Sequence, residues 1–249
     1  MEEYINLTLE NIDKEHICCA ISDKKHQAGV MAKKEWIRSQ IKNGHVFRKL
    51  NQNGKVFIEY GDLEKEFVPI IGDNYTYIYC FWVSGSFKGK GHGKNLLEYA
   101  INDAKQKGKN GICVVSSNKK TPFLSDKKYL EKHGFKVVDV ASPNFELLAL
   151  PFNEEKTPEF TQKSKKNEID EKGIVIYYND ECPYIKNCLL EIEEVCNEKS
   201  IELKLYHIDT VQKAKDMPCF MNNFCLFYNG KFITHELLNK GRFIKFLGL

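Results

Sequence analysis

Proline and tryptophan are scarce in this 249-residue chain, at 7 and 2 copies, and no long apolar run occurs. The strongest run, Tyr75 to Val83, holds nine residues, whereas a membrane-spanning helix needs roughly 20. The opening Met-Glu-Glu-Tyr-Ile-Asn has neither the basic start nor the apolar stretch of a secretory signal. No membrane association is therefore expected, and the cytoplasm is the expected compartment. An excess of charge is also missing. The 37 basic and 34 acidic side chains leave +3, and no Lys/Arg stripe tracks a nucleic-acid backbone, so no nucleic-acid partner is expected. Internal repeats are absent. What the sequence does hold is an apolar fraction of 42% with 29% charged residues, enough to build a core and too apolar for disorder. It also has nine cysteines, an odd number with no paired Cys-x-x-Cys at zinc-finger spacing. Reduced thiols are expected, with no disulfide framework and no metal site.

The length fits two small domains. Residues 153–172, charged in both signs and without apolar periodicity, read as a linker, which predicts one domain over residues 1–152 and a smaller one over 173–249. The first carries 23 basic against 18 acidic side chains, the remainder 14 against 16. Period-2 patterns and the turn pairs Asn53-Gly54 and Gly72-Asp73 predict strands at Tyr4–Glu10, Val46–Leu50, Val56–Tyr60 running on through Phe67–Ile71, Tyr75–Val83, Ile112–Val115, Lys136–Val140 and Phe145–Leu150. Helical spacing predicts helices over about Asp23–Ile41, Lys94–Lys107 and Leu124–Lys132. The result is an α+β or α/β fold with a mixed, mostly antiparallel sheet and flanking helices.

The most informative stretch is Val83-Ser-Gly-Ser-Phe-Lys-Gly-Lys-Gly-His-Gly-Lys-Asn-Leu-Leu97, a strand entering a glycine-rich turn that opens an amphipathic helix. Gly89, Gly91 and Gly93 let successive backbone N–H groups converge on phosphate oxygens at the positive end of a helix. Lys88, Lys90 and Lys94 add charge, and His92 would meet phosphate or solvent. No Gly-Lys-Ser/Thr closes the loop and the spacing is not Gly-x-Gly-x-x-Gly, which disfavours ATP and NAD.

Lys88-x-x-Gly91-x-Gly93 resembles the acetyl-CoA loop of the GNAT superfamily of N-acetyltransferases, with Lys in place of the usual Arg/Gln. Gly134-Phe135 is similar to the pair that opens that family's sixth strand. The segments beginning Cys18-Cys19, Phe81-Trp82 and Phe123-Leu124-Ser-Asp-Lys-Lys resemble the subgroup that carries a YoaP-like C-terminal domain. The resemblance implies an acetyl-CoA-dependent N-acetyltransferase acting on an amine by direct attack. It implies that the strand before the loop is bulged and splayed, so that Phe81, Trp82 and Val83 offer main chain to pantetheine. The family's usual acid, a Tyr four residues before Gly-Phe, is Leu130 here, which leaves Tyr129 as the candidate one position earlier, or as a surface tyrosine.

Glu59, inside the apolar strand Val56–Tyr60, is the candidate base if burial raises its pKa, or a solvent-facing residue if its strand is half exposed. Tyr75, Tyr77, Tyr79, Phe81 and Trp82 read as sheet core or an acceptor pocket. Cys18, Cys19, Cys80 and Cys113 read as small buried hydrophobes, with an acetyl-cysteine route left open.

From Ile174, strand, polar turn and Cys182 before a helix expected at Pro183 look like the start of a thioredoxin-like fold. A strand at Leu203–Ile208, Met217-Pro218 as the counterpart of a cis-proline, the hairpin Cys225–Thr234 around Asn229-Gly230 and a helix Glu236–Phe246 continue it. Cys182 at a helix start is expected to be the most reactive thiol, although Cys188 is six residues on and breaks Cys-x-x-Cys. The alternative function is therefore a CoA-binding thiol sensor, or a redox or metal-binding protein built on Cys182. Oligomerisation is left open.

Overall fold

The computed structural model describes every residue except 1, 2, 18, 22, 120 and 249. The chain begins with β1 (Tyr4–Asn6), a 3-10 turn at Lys24–His26 capped by Asp23, and α1 (Gln27–Ile41). There follow β2 (Val46–Leu50), β3 (Val56–Asp62), β4 (Ile70–Ile71), β5 (Tyr75–Val83), α2 (His92–Gln106), β6 (Gly111–Ser117), α3 (Lys127–Lys132), β7 (Lys136–Ala141) and β8 (Phe145–Pro151). Seven of these strands form one sheet in the order β1-β2-β3-β5-β6-β8-β7, in which every pairing is antiparallel except β5 with β6.

Alternation sorts the strand side chains between two faces. On one face Leu96, Leu97 and Ala100 of α2 and Leu130 of α3 pack on Ile58, Tyr60, Ile78, Ile112, Val114 and Leu148. The other face, with Phe47, Phe57, Tyr75, Tyr77 and Tyr79, is covered by Trp36 and Ile37 of α1 and by residues from the far end of the chain, among them Phe220, Met221 and Phe227.

The predicted linker is not a free connection. It carries β9 (Glu159–Phe160), which pairs with β4, and Phe160 is fully buried against Phe220 at a ring separation of 5.5 Å. The Phe160 N–H donates to Asp139 Oδ2 at 2.8 Å, and Lys165 and Lys163 form ion pairs with Asp139 and Asp216 at 2.7 and 2.8 Å. Lys163, Lys165 and Glu171 thus tie the segment to neighbouring chain, while one aromatic anchors it.

The remainder is β10 (Ile174–Tyr178), α4 (Ile185–Lys199), β11 (Leu203–His207), α5 (Val211–Lys215), β12 (Phe224–Tyr228), β13 (Lys231–Thr234) and α6 (Lys240–Leu247). Its four-stranded sheet runs β11-β10-β12-β13, with β10 parallel to β11 and antiparallel to β12. Helices α4 and α6 close one side through Ile185, Leu189, Ile192, Val195 and Phe243. Two local expectations fail here. Helix α4 begins at Ile185, because Pro183 and Tyr184 form a turn ahead of it, and the cis peptide bond among the described residues precedes Pro143, not Pro218.

Candidate active site

The parallel pairing of β5 with β6 runs only from Tyr75↔Gly111 to Ile78↔Val114, although the strands continue to Val83 and Ser117. Beyond Ile78 the two part. The cause is visible on the other edge of β5, where the register with β3 jumps from Glu59↔Cys80 to Tyr60↔Ile78 and leaves Tyr79 as the extra residue of a bulge. A bulge bends its strand and increases the local twist. Phe81, Trp82 and Val83 stay paired with Ile58, Phe57 and Val56, so their second main-chain edge faces the gap. Side chains from the far end of the sequence prop the bulge. Asn222 Nδ2 donates to the Tyr79 carbonyl at 3.1 Å, and the Tyr77 hydroxyl donates to Asn222 Oδ1 at 2.9 Å.

The gap opens onto the glycine loop. Gly85, Gly89 and Gly91 have φ of +60°, +76° and +84°, and Gly91 is the N-cap of α2. A Cβ built on any of the three would meet no atom within 4 Å. These glycines therefore serve backbone conformation, and the loop faces open space. The first N–H groups of α2 have no intrahelical acceptor and sit at the positive end of its dipole. Lys88, Lys90 and Lys94 are exposed around this mouth. The arrangement fits a pyrophosphate. His92 differs from expectation, since it is 1% exposed and its Nδ1 lies 2.7 Å from the Tyr4 hydroxyl. Its side chain secures α2 to β1, leaving only its main chain to the loop.

The one-residue offset at α3 is resolved by the face each residue takes. Leu130 is fully buried under the sheet, whereas the ring of Tyr129 lies 5.7 Å from that of Phe81. A Cβ on Gly93 would come within 2.9 Å of the Tyr129 hydroxyl. Tyr129 and the loop are thus brought together. Burial, assisted by Glu98, pushes its phenol upward, so it holds its proton at neutral pH.

Glu59 does not match its expected role. It is wholly buried on the α1 side of β3, where its Oε2 accepts from Lys33 Nζ at 2.7 Å and its Oε1 lies 3.2 Å from His45 Nε2. His45 Nδ1 in turn lies 2.9 Å from Glu66 Oε1. Burial opposes ionisation of Glu59, but Lys33 and His45 together hold its carboxyl below the usual range. Burial likewise opposes a charged His45, yet Glu66 and Glu59 raise it to about 9. Glu59 is a counter-ion in a closed network, not a base with a raised pKa.

Beside the open edge of β5 lies a cavity of about 290 Å³ lined by Tyr79, Cys80, Phe81 and Trp82, by Lys33 and Lys55, by the 122–125 loop, and by Glu181, Cys182 and Asn222. Tyr75 and Tyr77 are sheet core, as their spacing predicts, whereas Tyr79, Phe81 and Trp82 face this cavity. The β10–α4 loop reaches it because α1 approaches so closely that a Cβ on Gly29 would collide with the Pro183 carbonyl. The Tyr184 hydroxyl also donates to Cys19 O at 2.5 Å.

Burial pushes the Cys182 thiol well up, the reverse of the expected depression, and two residues, Pro183 and Tyr184, separate it from the first residue of α4. Cys188 donates to Leu238 O, and Cys219 hydrogen-bonds Cys225. No group of three or more His, Cys, Asp or Glu is placed to hold a metal among the described residues. A thiol sensor or a metal or redox centre at Cys182 is unsupported. Cys113 is buried as expected, Cys19 and Cys80 line the cavity, and Cys18 lies outside the described residues. Lys33, His45 and Glu66 were missed because their partners are distant in sequence. The one available signal was Glu59 itself, an acid in an apolar strand.

The sequence has recognisable relatives. A family model described as "Acetyltransferase (GNAT) family" matches residues 10–135, and one described as "YoaP-like" matches residues 202–245. The chain is 39% identical over 245 residues to "Uncharacterized N-acetyltransferase YoaP" of Bacillus subtilis (strain 168), covering 98% of each. Among solved structures, PaiA N-acetyltransferase from Thermoplasma acidophilum in complex with coenzyme A is similar at 18% identity, covering 61% of this chain and 99% of that one, with TM-score 0.44. A GNAT family acetyltransferase from Brucella melitensis in complex with acetyl-CoA is similar at 14% identity, covering 63% and 92%, with TM-score 0.39. By its sequence match over half its length and its full-length relative, the chain belongs to the GNAT family of acetyltransferases.

Proposed function

We propose that this N-acetyltransferase binds acetyl-CoA in the gap between β5 and β6, with its pyrophosphate on residues 89–94, and acetylates an amine that enters the adjoining cavity. The observation that carries the reading is the early end of the β5–β6 pairing at Ile78, which leaves an unpaired main-chain edge between the glycine loop and a partly open cavity. Acetyl-CoA, the cosubstrate, supplies the activated thioester. The exposed edge of Phe81–Val83 offers strand-like hydrogen bonds to pantetheine, and the loop amides with Lys88, Lys90 and Lys94 hold the phosphates. Tyr129 is the proton donor to the departing sulfur, supported by its place between Phe81 and Gly93 and by a hydroxyl that stays protonated.

Residues 1–152 form the acetyl-transfer domain in this reading and 173–249 an accessory domain. The β-α-β-α-β-β-α connectivity of that second part, with its central parallel pair, supports a thioredoxin-like assignment. Its free thiols and the lack of any helix long and apolar enough to cross a membrane, among the described residues, favour the cytoplasm as its site of action.

Gly91→Val tests the donor site. Gly91 has φ +84° with open space around it, so the substitution strains the loop without displacing a neighbour. Titration calorimetry should show acetyl-CoA affinity falling by about 5- to 150-fold, as expected for a strain of about 1–3 kcal/mol. Unchanged affinity would refute the loop assignment.

A further inference from the structure

The acetyl-transfer reading gives no role to a buried acid of the cavity, Glu181. Glu181, supplied by the β10–α4 loop, is 2% exposed, and its Oε2 has no hydrogen-bond partner. The backbone that carries it is fixed. Its N–H donates to Asn179 Oδ1 at 3.1 Å, and Asn179 Nδ2 donates to Asn222 O at 2.9 Å, next to the side chain that props the β5 bulge. The neighbouring buried acid Glu59 is already matched to Lys33 and His45, and Glu66 to His45. Glu181 instead lines the same cavity as Phe81 and Trp82, the residues of the open β5 edge. A buried acceptor left without a donor is poised for a ligand that brings one.

The geometry points to Glu181 as the general base of the transfer, receiving a proton from the ammonium group of a primary amine seated in the cavity. This rests on the acetyl-transfer reading and adds the acceptor class to it. The ammonium nitrogen gives one proton to Glu181 Oε2, and the freed electron pair attacks the thioester carbonyl carbon. The C–N bond forms and the C–S bond breaks. The sulfur leaves with its electron pair and takes the Tyr129 hydroxyl proton, which the second nitrogen proton restores. Glu181 then passes its proton to water. The walls Phe81, Trp82, Phe123, Leu124 and Tyr184 select a slender apolar chain next to that ammonium.

The ionisation of Glu181 suits the role. Burial raises it to about 8, Glu59 and Cys19 act in the same sense, and Lys33 and His45 oppose them. Lys55, Cys80 and Cys182 also face the cavity. A carboxyl with this value gains base form as pH rises through about 8, so turnover should rise over the same interval.

The test uses the full-length chain, its Glu181→Gln and its Glu181→Asp variants. Acetyl-CoA affinity is measured by calorimetry. Release of CoA is followed by chromatography with 1,4-diaminobutane, with n-butylamine and with no amine, where water is the acceptor, from roughly pH 6 to 10. Glu181→Gln should bind acetyl-CoA as the wild type does, release CoA about 100-fold more slowly and lose the rise through pH 8. Glu181→Asp should recover part of the rate. Rates in Glu181→Gln within about threefold of wild type under all three conditions would overturn the assignment. Wild-type CoA release no faster with either amine than with water would overturn the acceptor class. Failure of the wild type to bind acetyl-CoA would instead defeat the underlying acetyl-transfer reading.

Discussion

Replacing Glu59 by Gln separates a structural counter-ion from a proton acceptor. Glu59 is fully buried, with Lys33 at 2.7 Å on one oxygen and His45 at 3.2 Å on the other. The substitution keeps the shape and removes the charge, leaving the Lys33 ammonium buried without its anion. Removing one member of a buried pair costs about 3–5 kcal/mol. At roughly 2–4 °C per kcal/mol for a chain of this size, Tm should fall by about 6–20 °C. Calorimetric or circular-dichroism melts read this directly. The double variant Lys33→Met, Glu59→Leu should recover most of the loss, because it removes both charges and fills the space with apolar atoms. Well below the melt, CoA release with 1,4-diaminobutane should stay within about threefold of wild type, since Glu59 does not line the cavity. A Tm within about 2 °C of wild type, with CoA release lost, would refute the counter-ion argument and return Glu59 to the catalytic list. The same network carries a pH signature. His45 is raised from 6.5 to about 9 on folding, so its contribution is complete below about pH 6.5 and disappears as pH rises through 9. The size is on the order of 3 kcal/mol.

Tyr129→Phe should lower CoA release about 100-fold while leaving acetyl-CoA affinity unchanged, because the hydroxyl acts on the departing sulfur and the ring still packs on Phe81. Equal loss of binding and turnover in steady-state and calorimetric measurements would make it a packing residue. Sub-stoichiometric iodoacetamide at about pH 8 should label Cys19 ahead of Cys182, since a hydrogen bond from Cys80 favours the Cys19 thiolate against the opposing effect of burial, whereas burial suppresses Cys182. Peptide mapping of wild type and Cys19→Ser decides it, and first labelling at Cys182 would contradict the ordering.

The proposed donor side of the site was legible in the sequence because its determinants are local. The end of a strand, four glycines and the start of an amphipathic helix lie within residues 83–97, the order an anion-facing loop calls for. Tyr129 was within one residue of resolution, and only the side of α3 that meets the core distinguishes it from Leu130. The acceptor side was not legible, because its walls come from segments about 100 residues apart. Period-2 alternation places Phe57 and Glu59 on one face but cannot say that α1 covers that face and delivers Lys33 to it. Local composition likewise misreads residues 153–172, where a single aromatic, Phe160, outweighs eleven charges once Phe220 and β4 are available to receive it. Cys182 resembled a helix-start thiol until the turn at Pro183–Tyr184 displaced the helix by a few residues.

The closeness of Gly29 to Pro183 bears on how the chain is made. A growing polypeptide emerges from its N-terminus, so the loop, the splayed strands and Tyr129 are all synthesised well before Asn222 and the β10–α4 loop exist. Until those late residues arrive, the Tyr79 carbonyl has no Asn222 donor and the pocket has no fourth wall. In the proposed reading the acceptor chamber is complete only once residues 181–223 have been made, and a chain cut short before them lacks that wall.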